Sequence, residues 1–138
     1  MGLYVAESMK KYLDKTLYVE FQRCAKNAWL RLKKPELVQM FELRPDELAR
    51  MQAGQEIEGH ARQLFTGGVM VDTTGEAAAE QTRALIAAQT PVIFQATFIA
   101  GNLMVRSDVL QWDADSGSWD LYEIKSTSNE LGDDGEYK

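Results

Sequence analysis

Residues 91–126 read PVIFQATFIAGNLMVRSDVLQWDADSGSWDLYEIKS, and this stretch decides the fold. Its β-branched and aromatic residues fall in three runs, 91–100, 102–112 and 118–126. Such runs read as strands. The turns GN and DADSGS separate them, so they form an antiparallel meander. A symmetric hairpin around residues 113–118 sets Asp108 opposite Glu123 and Trp112 opposite Trp119. Cross-strand partners share a face at roughly 4.5–5.5 Å between Cβ atoms. Lys125 follows Glu123 by two residues and projects from the same face.

Upstream the period changes from 2 to 3.6. Residues 16–34 carry Phe21, Cys24, Ala25, Ala28, Trp29 and Leu32 at helical spacing, and Pro35 ends the helix. Arg23, Lys26, Arg31, Lys33 and Lys34 decorate its other side and end. They are either a phosphate-tracking patch or a solvated helix face. Residues 44–65 form a second helix whose stripe of Ala53, Ile57, Ala61 and Leu64 is expected to face the sheet. Residues 69–71 suit a short strand. Residues 75–89 suit a third helix with Thr73 or Thr74 near its cap. Helices first and a meander after make an α+β pattern.

A chain of 138 residues suits one domain, spanning 1–138, with a polar and frayed tail at 129–138. No apolar run approaches the ~20 residues that span a bilayer, so no membrane role is expected and the setting is cytoplasmic. The single Cys24 excludes an internal disulfide and a thiolate zinc site from this chain alone. It is expected as a buried free thiol on the helical stripe. The charge is uneven. Residues 1–50 hold ten Lys/Arg and seven Asp/Glu, net +3; residues 51–138 hold five and fourteen, net -9. An acidic half serves solubility, or gathers carboxylates around a cation while the basic half meets phosphate.

Asp108 and Glu123 admit two readings. They are a solvated charge cluster with Lys125, or a pair that repels unless a cation lies between them. Hard Mg²⁺ or Mn²⁺ accepts one or two carboxylates plus waters and phosphate oxygens. The flanking MVR, VL, LY and I place both carboxylates within strand interiors, where an uncompensated charge is costly. Trp112 and Trp119 suit a cross-strand aromatic pair better than base stacking. Trp29 sits on a core-like stripe.

The ordered segments SDVL, a turn, then EIKS resemble motifs II and III of the PD-(D/E)XK nuclease superfamily, in its RecB-like branch. YLDKTLYVEFQRCAKNAWL is similar to the opening segment of such proteins, and AGQEIEGHARQLFTGGVMV to their motif I helix. The resemblance covers roughly residues 12–128. It implies a restriction-endonuclease-like core, with N-terminal helices on a three-stranded antiparallel meander of a mixed sheet. It implies Asp108 and Glu123 as metal carboxylates, Lys125 as the catalytic lysine, and Mg²⁺- or Mn²⁺-dependent hydrolysis of DNA, or of RNA. Motif I carries Gly, three residues, then His or Glu. Counting from Gly54 reaches Glu58, with His60 two further on. At 100° per residue these two flank the stripe on opposite edges, so one metal takes only one of them. Glu58 is preferred as the further metal-binding and catalytic carboxylate, and His60 reads as a hydrogen-bonded residue at a packing edge. An iron–sulfur cluster, held by some relatives, needs about four thiolates and is not possible from this chain alone. The family's next helix and strand are not present, so a partial or reduced domain is expected, with an open sheet edge that invites a homodimer. The rival readings are a non-catalytic nucleic-acid- or protein-binding module with a degenerate nuclease core, and a metal-dependent hydrolase of another phosphoester.

Overall fold

A computed structural model describes residues 12–38 and 45–125. The tail at 129–138 and the last residue of the third run, Ser126, lie outside them. The chain is α+β, with helices α1 (Lys15–Arg23), α2 (Ala25–Lys33), α3 (Pro45–Arg62) and α4 (Gly75–Ala87). The strands are β1 (Gly68–Met70), β2 (Val92–Phe94), β3 (Thr97–Ala100), β4 (Leu103–Arg106), β5 (Val109–Asp113) and β6 (Ser118–Tyr122). Among the described residues no helix is long and apolar enough to cross a membrane.

The meander forms in the expected register and with an unexpected bend. Trp112 pairs with Trp119, their rings 5.3 Å apart, and Val109 pairs with Tyr122. One further step along this register sets Asp108 level with Glu123. The hairpin closed at Gly101-Asn102 is broken midway, into β2 and β3 on one arm and β4 and β5 on the other. No residue is gained or lost at the break. Thr97 faces Arg106 and Phe94 faces Val109, so Gln95 stands opposite Asp108 and Ala96 opposite Ser107. The N–H of Gln95 still donates to the Asp108 carbonyl at 3.1 Å, and that of Ser107 to Ala96 at 2.9 Å. Gln95 turns the chain with φ at +59°. Thr82 fixes the bend from α4, because its buried hydroxyl accepts the Thr97 N–H at 2.9 Å and donates to the Ala78 carbonyl. The two outer arms thus leave the main sheet, whose strand order is β1-β2-β5-β6. In that sheet β1 runs parallel to β2 and the other pairs are antiparallel. The sheet is therefore mixed, with α4 as the crossover between its parallel strands.

Two apolar clusters hold the sheet. Val71, Ala78, Ile93, Ala96 and Leu110 join Leu85, Ile86 and Trp119, which brings α4 onto the strands. Val92, Phe94 and Val109 pack with Phe65, Met70 and Ile124. Phe65 meets Phe94 and Tyr122 edge-on, at 6.4 and 5.2 Å between ring centroids. Gly68 belongs to this arrangement, since a Cβ there would enter the Phe94 ring. Gly68→Ala is expected to cost about 1–3 kcal/mol by overpacking. Urea unfolding would measure it, and an unchanged midpoint would mean that the ring is free to move.

Several helical expectations are corrected. The 16–34 helix is two helices. Cys24 is extended, with φ at -156° and ψ at 101°. Glu20 reaches across the break to Asn27 and Arg31, which draws α2 back against α1. The break divides the expected stripe. Leu17 and Ala28 are buried, Phe21 and Trp29 are each 53% exposed, and Cys24 is exposed rather than buried. In α3, Ile57 is 40% exposed and Leu64, beyond the helix, 83%, so that stripe does not face the sheet. The helix turns Gly54, Glu58 and Arg62 inward, roughly 100° from the apolar reading. A polar face wins there because Glu58 and Arg62 find partners, as the site makes plain. Thr74 is the cap of α4, without a side-chain bond.

Candidate functional site

The inward face of α3 and the bend of the hairpin enclose a cleft of about 410 Å³. Met51, Gly54, Gln55 and Glu58 come from the helix; Asp108, Glu123, Ile124 and Lys125 come from the strand ends. Glu58, Asp108, Glu123 and Lys125 thus share one cavity. His60 does not line it and is exposed.

The sheet explains how three of these meet. Asp108 sits between β4 and β5, at the bend, and Glu123 lies one residue past β6. Both were expected within strand interiors. They stand instead where the ladders stop, which frees their side chains from the pleated surface. Asp108 is half-buried, and its Oδ2 accepts the Ile124 N–H at 2.7 Å. That bond ties the end of β6 to the bend and answers part of the cost of a partly buried carboxylate. Glu123 is exposed and lies between two cations. Its Oε1 is 2.5 Å from the Lys125 Nζ and also bonds the Lys15 Nζ.

Lys15 is one residue here that the sequence does not reveal. It is the first residue of α1, behind the Asp14 cap whose carboxylate accepts the Leu17 N–H at 2.8 Å. The start of α1 is moored to the hairpin tip, where the Leu13 N–H donates to Asn102 at 2.7 Å and its carbonyl accepts from Met104. One lysine at a helix start carries no signal in a sequence. Only this mooring brings it to Glu123.

The charges act on one another. Lys125 and then Lys15 hold the Glu123 carboxyl below the ordinary range, and Glu123 raises the Lys15 ammonium above its own. A lowered acid contributes stability above its unfolded value, and loses it as pH falls through the folded one. A raised base contributes below its unfolded value, and loses it as pH rises through the folded one. The Lys15–Glu123 contribution is therefore expected to be level between about pH 4.3 and about pH 10.4, the unperturbed values. It should vanish beyond both ends. Both groups are substantially exposed, so solvent screening keeps it small. Thermal melts of the wild type and Lys15→Met across that range would check this, and a gap peaking outside it would contradict it.

Glu58 is held on the opposite wall. Its Oε1 accepts from the Gln95 Nε2 and from an Arg62 terminal nitrogen, each at 2.5 Å. The buried Arg62 Nε has no protein partner among the described residues.

The donor set is all oxygen, which suits a hard divalent cation. Among the described residues no three His, Cys, Asp or Glu side chains form a group that would hold one metal ion. Glu58 therefore does not close with Asp108 and Glu123 on one ion. Mg²⁺ commonly takes one or two carboxylates and keeps several waters. Asp108 and Glu123 are the two carboxylates on the strand side of the cleft.

Comparison with known proteins is silent. No family model, no curated protein and no solved structure matches this chain.

Proposed function

We propose that this chain is a Mg²⁺- or Mn²⁺-dependent phosphodiesterase acting on DNA, with a PD-(D/E)XK nuclease core of the RecB-like kind. One observation carries the reading. Glu58, Asp108, Glu123 and Lys125, drawn from positions up to 67 residues apart, line a single cleft. The order of elements supports it too, since a helix and a bent meander bear these residues in the sequence that the resemblance implies. Asp108 and Glu123 would hold the cation, which supplies a water of lowered pKa and charge against the phosphate when bound. Lys125 donates to the phosphate or orients the water. Lys15 adds a second ammonium beside it. The basic residues Arg23, Lys26, Lys33 and Lys34 are exposed and suit a nucleic-acid backbone. RNA is the variant substrate, a cytoplasmic setting belongs to the same reading, and the outer edge of β6 is where a second copy would pair.

A second reading has its own observation. Each site carboxylate already has a protein partner, as a binding module with a relic site would have. Calorimetric titration of Mn²⁺ into the wild type and Asp108→Asn, beside cleavage of linear DNA, separates the two. The nuclease reading expects binding and cleavage in the wild type and neither in the variant. Absence of both in the wild type favours the binding module.

A further inference from the structure

We propose that Gln95 is a positioning residue of this site, setting Glu58 against Asp108; the role rests on the nuclease reading. Three observations meet at Gln95. First, Gln95, Asp108 and Glu123 each stand one residue beyond the Phe94–Val109–Tyr122 row, at the edge where the ladders of β2, β5 and β6 stop. Its N–H binds the Asp108 carbonyl at 3.1 Å. Second, its side-chain amide donates to Glu58 Oε1 on α3. With Arg62 on the same oxygen, Oε1 is filled. Oε2 takes no bond among the described residues and is the acceptor left for a water on that wall. Third, its backbone is left-handed, at φ +59°, where residues with a Cβ are strained.

Among the described residues, the other non-glycine one with positive φ makes the contrast. Gln89, at φ +52°, ends α4, and Thr90 donates back to Leu85 at 3.0 Å. That is a common helix ending. Gln95 follows no helix. A glycine or asparagine would make the same bend with less strain, but neither side chain reaches Glu58. Strain kept where a freer residue would serve points to use of the side chain.

Gln95→Gly tests this, because it relieves the backbone and removes the amide together. The expected result is an unfolding midpoint equal to or above the wild type. Mn²⁺-dependent kcat on DNA should fall about 10–100-fold, the size seen when a group that orients a site side chain is lost. KM for DNA and Mn²⁺ affinity by calorimetry should both be unchanged, since the amide acts through Glu58 and not through the carboxylates that would hold the ion. A residue that serves only the fold would move stability and activity in the same direction. In a Glu58→Gln background Gln95→Gly should cause no further loss, since the amide acts through that carboxylate. Full losses in both backgrounds would overturn the role. So would Gln95→Gly with wild-type kcat while Asp108→Asn is inactive, and the nuclease reading would then stand alone. A wild type without Asp108-dependent Mn²⁺ binding or cleavage would remove the nuclease reading, and the role of Gln95 with it.

Discussion

Asp108→Asn is expected to abolish Mn²⁺ binding in the cleft and to lower DNA cleavage by about 10²–10³-fold, with the fold intact. Asparagine keeps the shape of the side chain and one carbonyl oxygen. That oxygen can still accept the Ile124 N–H that closes the end of β6. What is removed is one negative charge, level with Glu123 on the neighbouring strand. On stability the change is close to neutral. Losing a charged acceptor weakens one hydrogen bond, while losing a like charge across the hairpin relieves repulsion. On function the change is one-sided. Glu123 is left as the single carboxylate on that wall, and Lys125 and Lys15 already compete for it. Charge stabilisation at a phosphoryl centre amounts to several kcal/mol, and each ~1.4 kcal/mol is tenfold in rate. Thermal melting, calorimetry and cleavage on the same samples check all three parts. A variant that melts with the wild type and still binds Mn²⁺ would place any ion elsewhere.

The contrast between what was legible and what was not follows the range of the forces. The register around residues 113–118 was legible because a short symmetric turn fixes pairing locally. Trp112 opposite Trp119 and Asp108 level with Glu123 are both its consequences. The bend at Gln95 was not, because neither glycine nor proline marks it. It is enforced from outside the hairpin, by Thr82 on α4. The facing of α3 departs from its apolar pattern for a related reason. Apolar counting selects Ala53, Ile57 and Ala61, but the partner surface is a polar cleft, and Glu58 with Arg62 satisfies it. Cys24 and Trp29 leave the core that their spacing suggests because α1 and α2 are broken at Cys24, where Glu20 meets Asn27 and Arg31, contacts of side chains and not of pattern. Of the cleft's lining, Glu58, Asp108, Glu123 and Lys125 are the residues that the sequence singles out. Lys15 and Gln95 belong to the site only through tertiary contacts.

The largest loss of stability is expected from Ile93→Ala. Ile93 is fully buried at the centre of β2, the strand with β1 on one side and β5 on the other. Its side chain lies in the cluster with Ala78 and Ala96. Ala78 and Ala96 are too small to extend into the space left behind, while Val71, Leu110, Leu85 and Ile86 belong to the same cluster. With the backbone held by ladders on both sides, such a site collapses little and belongs in the upper half of the usual range, about 3–5 kcal/mol. Domains of this kind are stable by only ~5–15 kcal/mol. With urea slopes of about 1–3 kcal/mol per molar, the midpoint should fall by at least ~1 M. Leu121→Ala is the control, since Leu121 is on the outer strand β6 and largely exposed, where such changes stay within about 0.5 kcal/mol. Equal shifts in the two variants would mean that the core does not lie between α4 and β2. The loss should also reach the cleft. Gln95 follows Ile93 by two residues, and the same strand sets its place opposite Asp108. Cleavage by Ile93→Ala should therefore match the wild type well below its melting range and disappear within it, whereas Asp108→Asn should be depressed by a similar factor at every temperature.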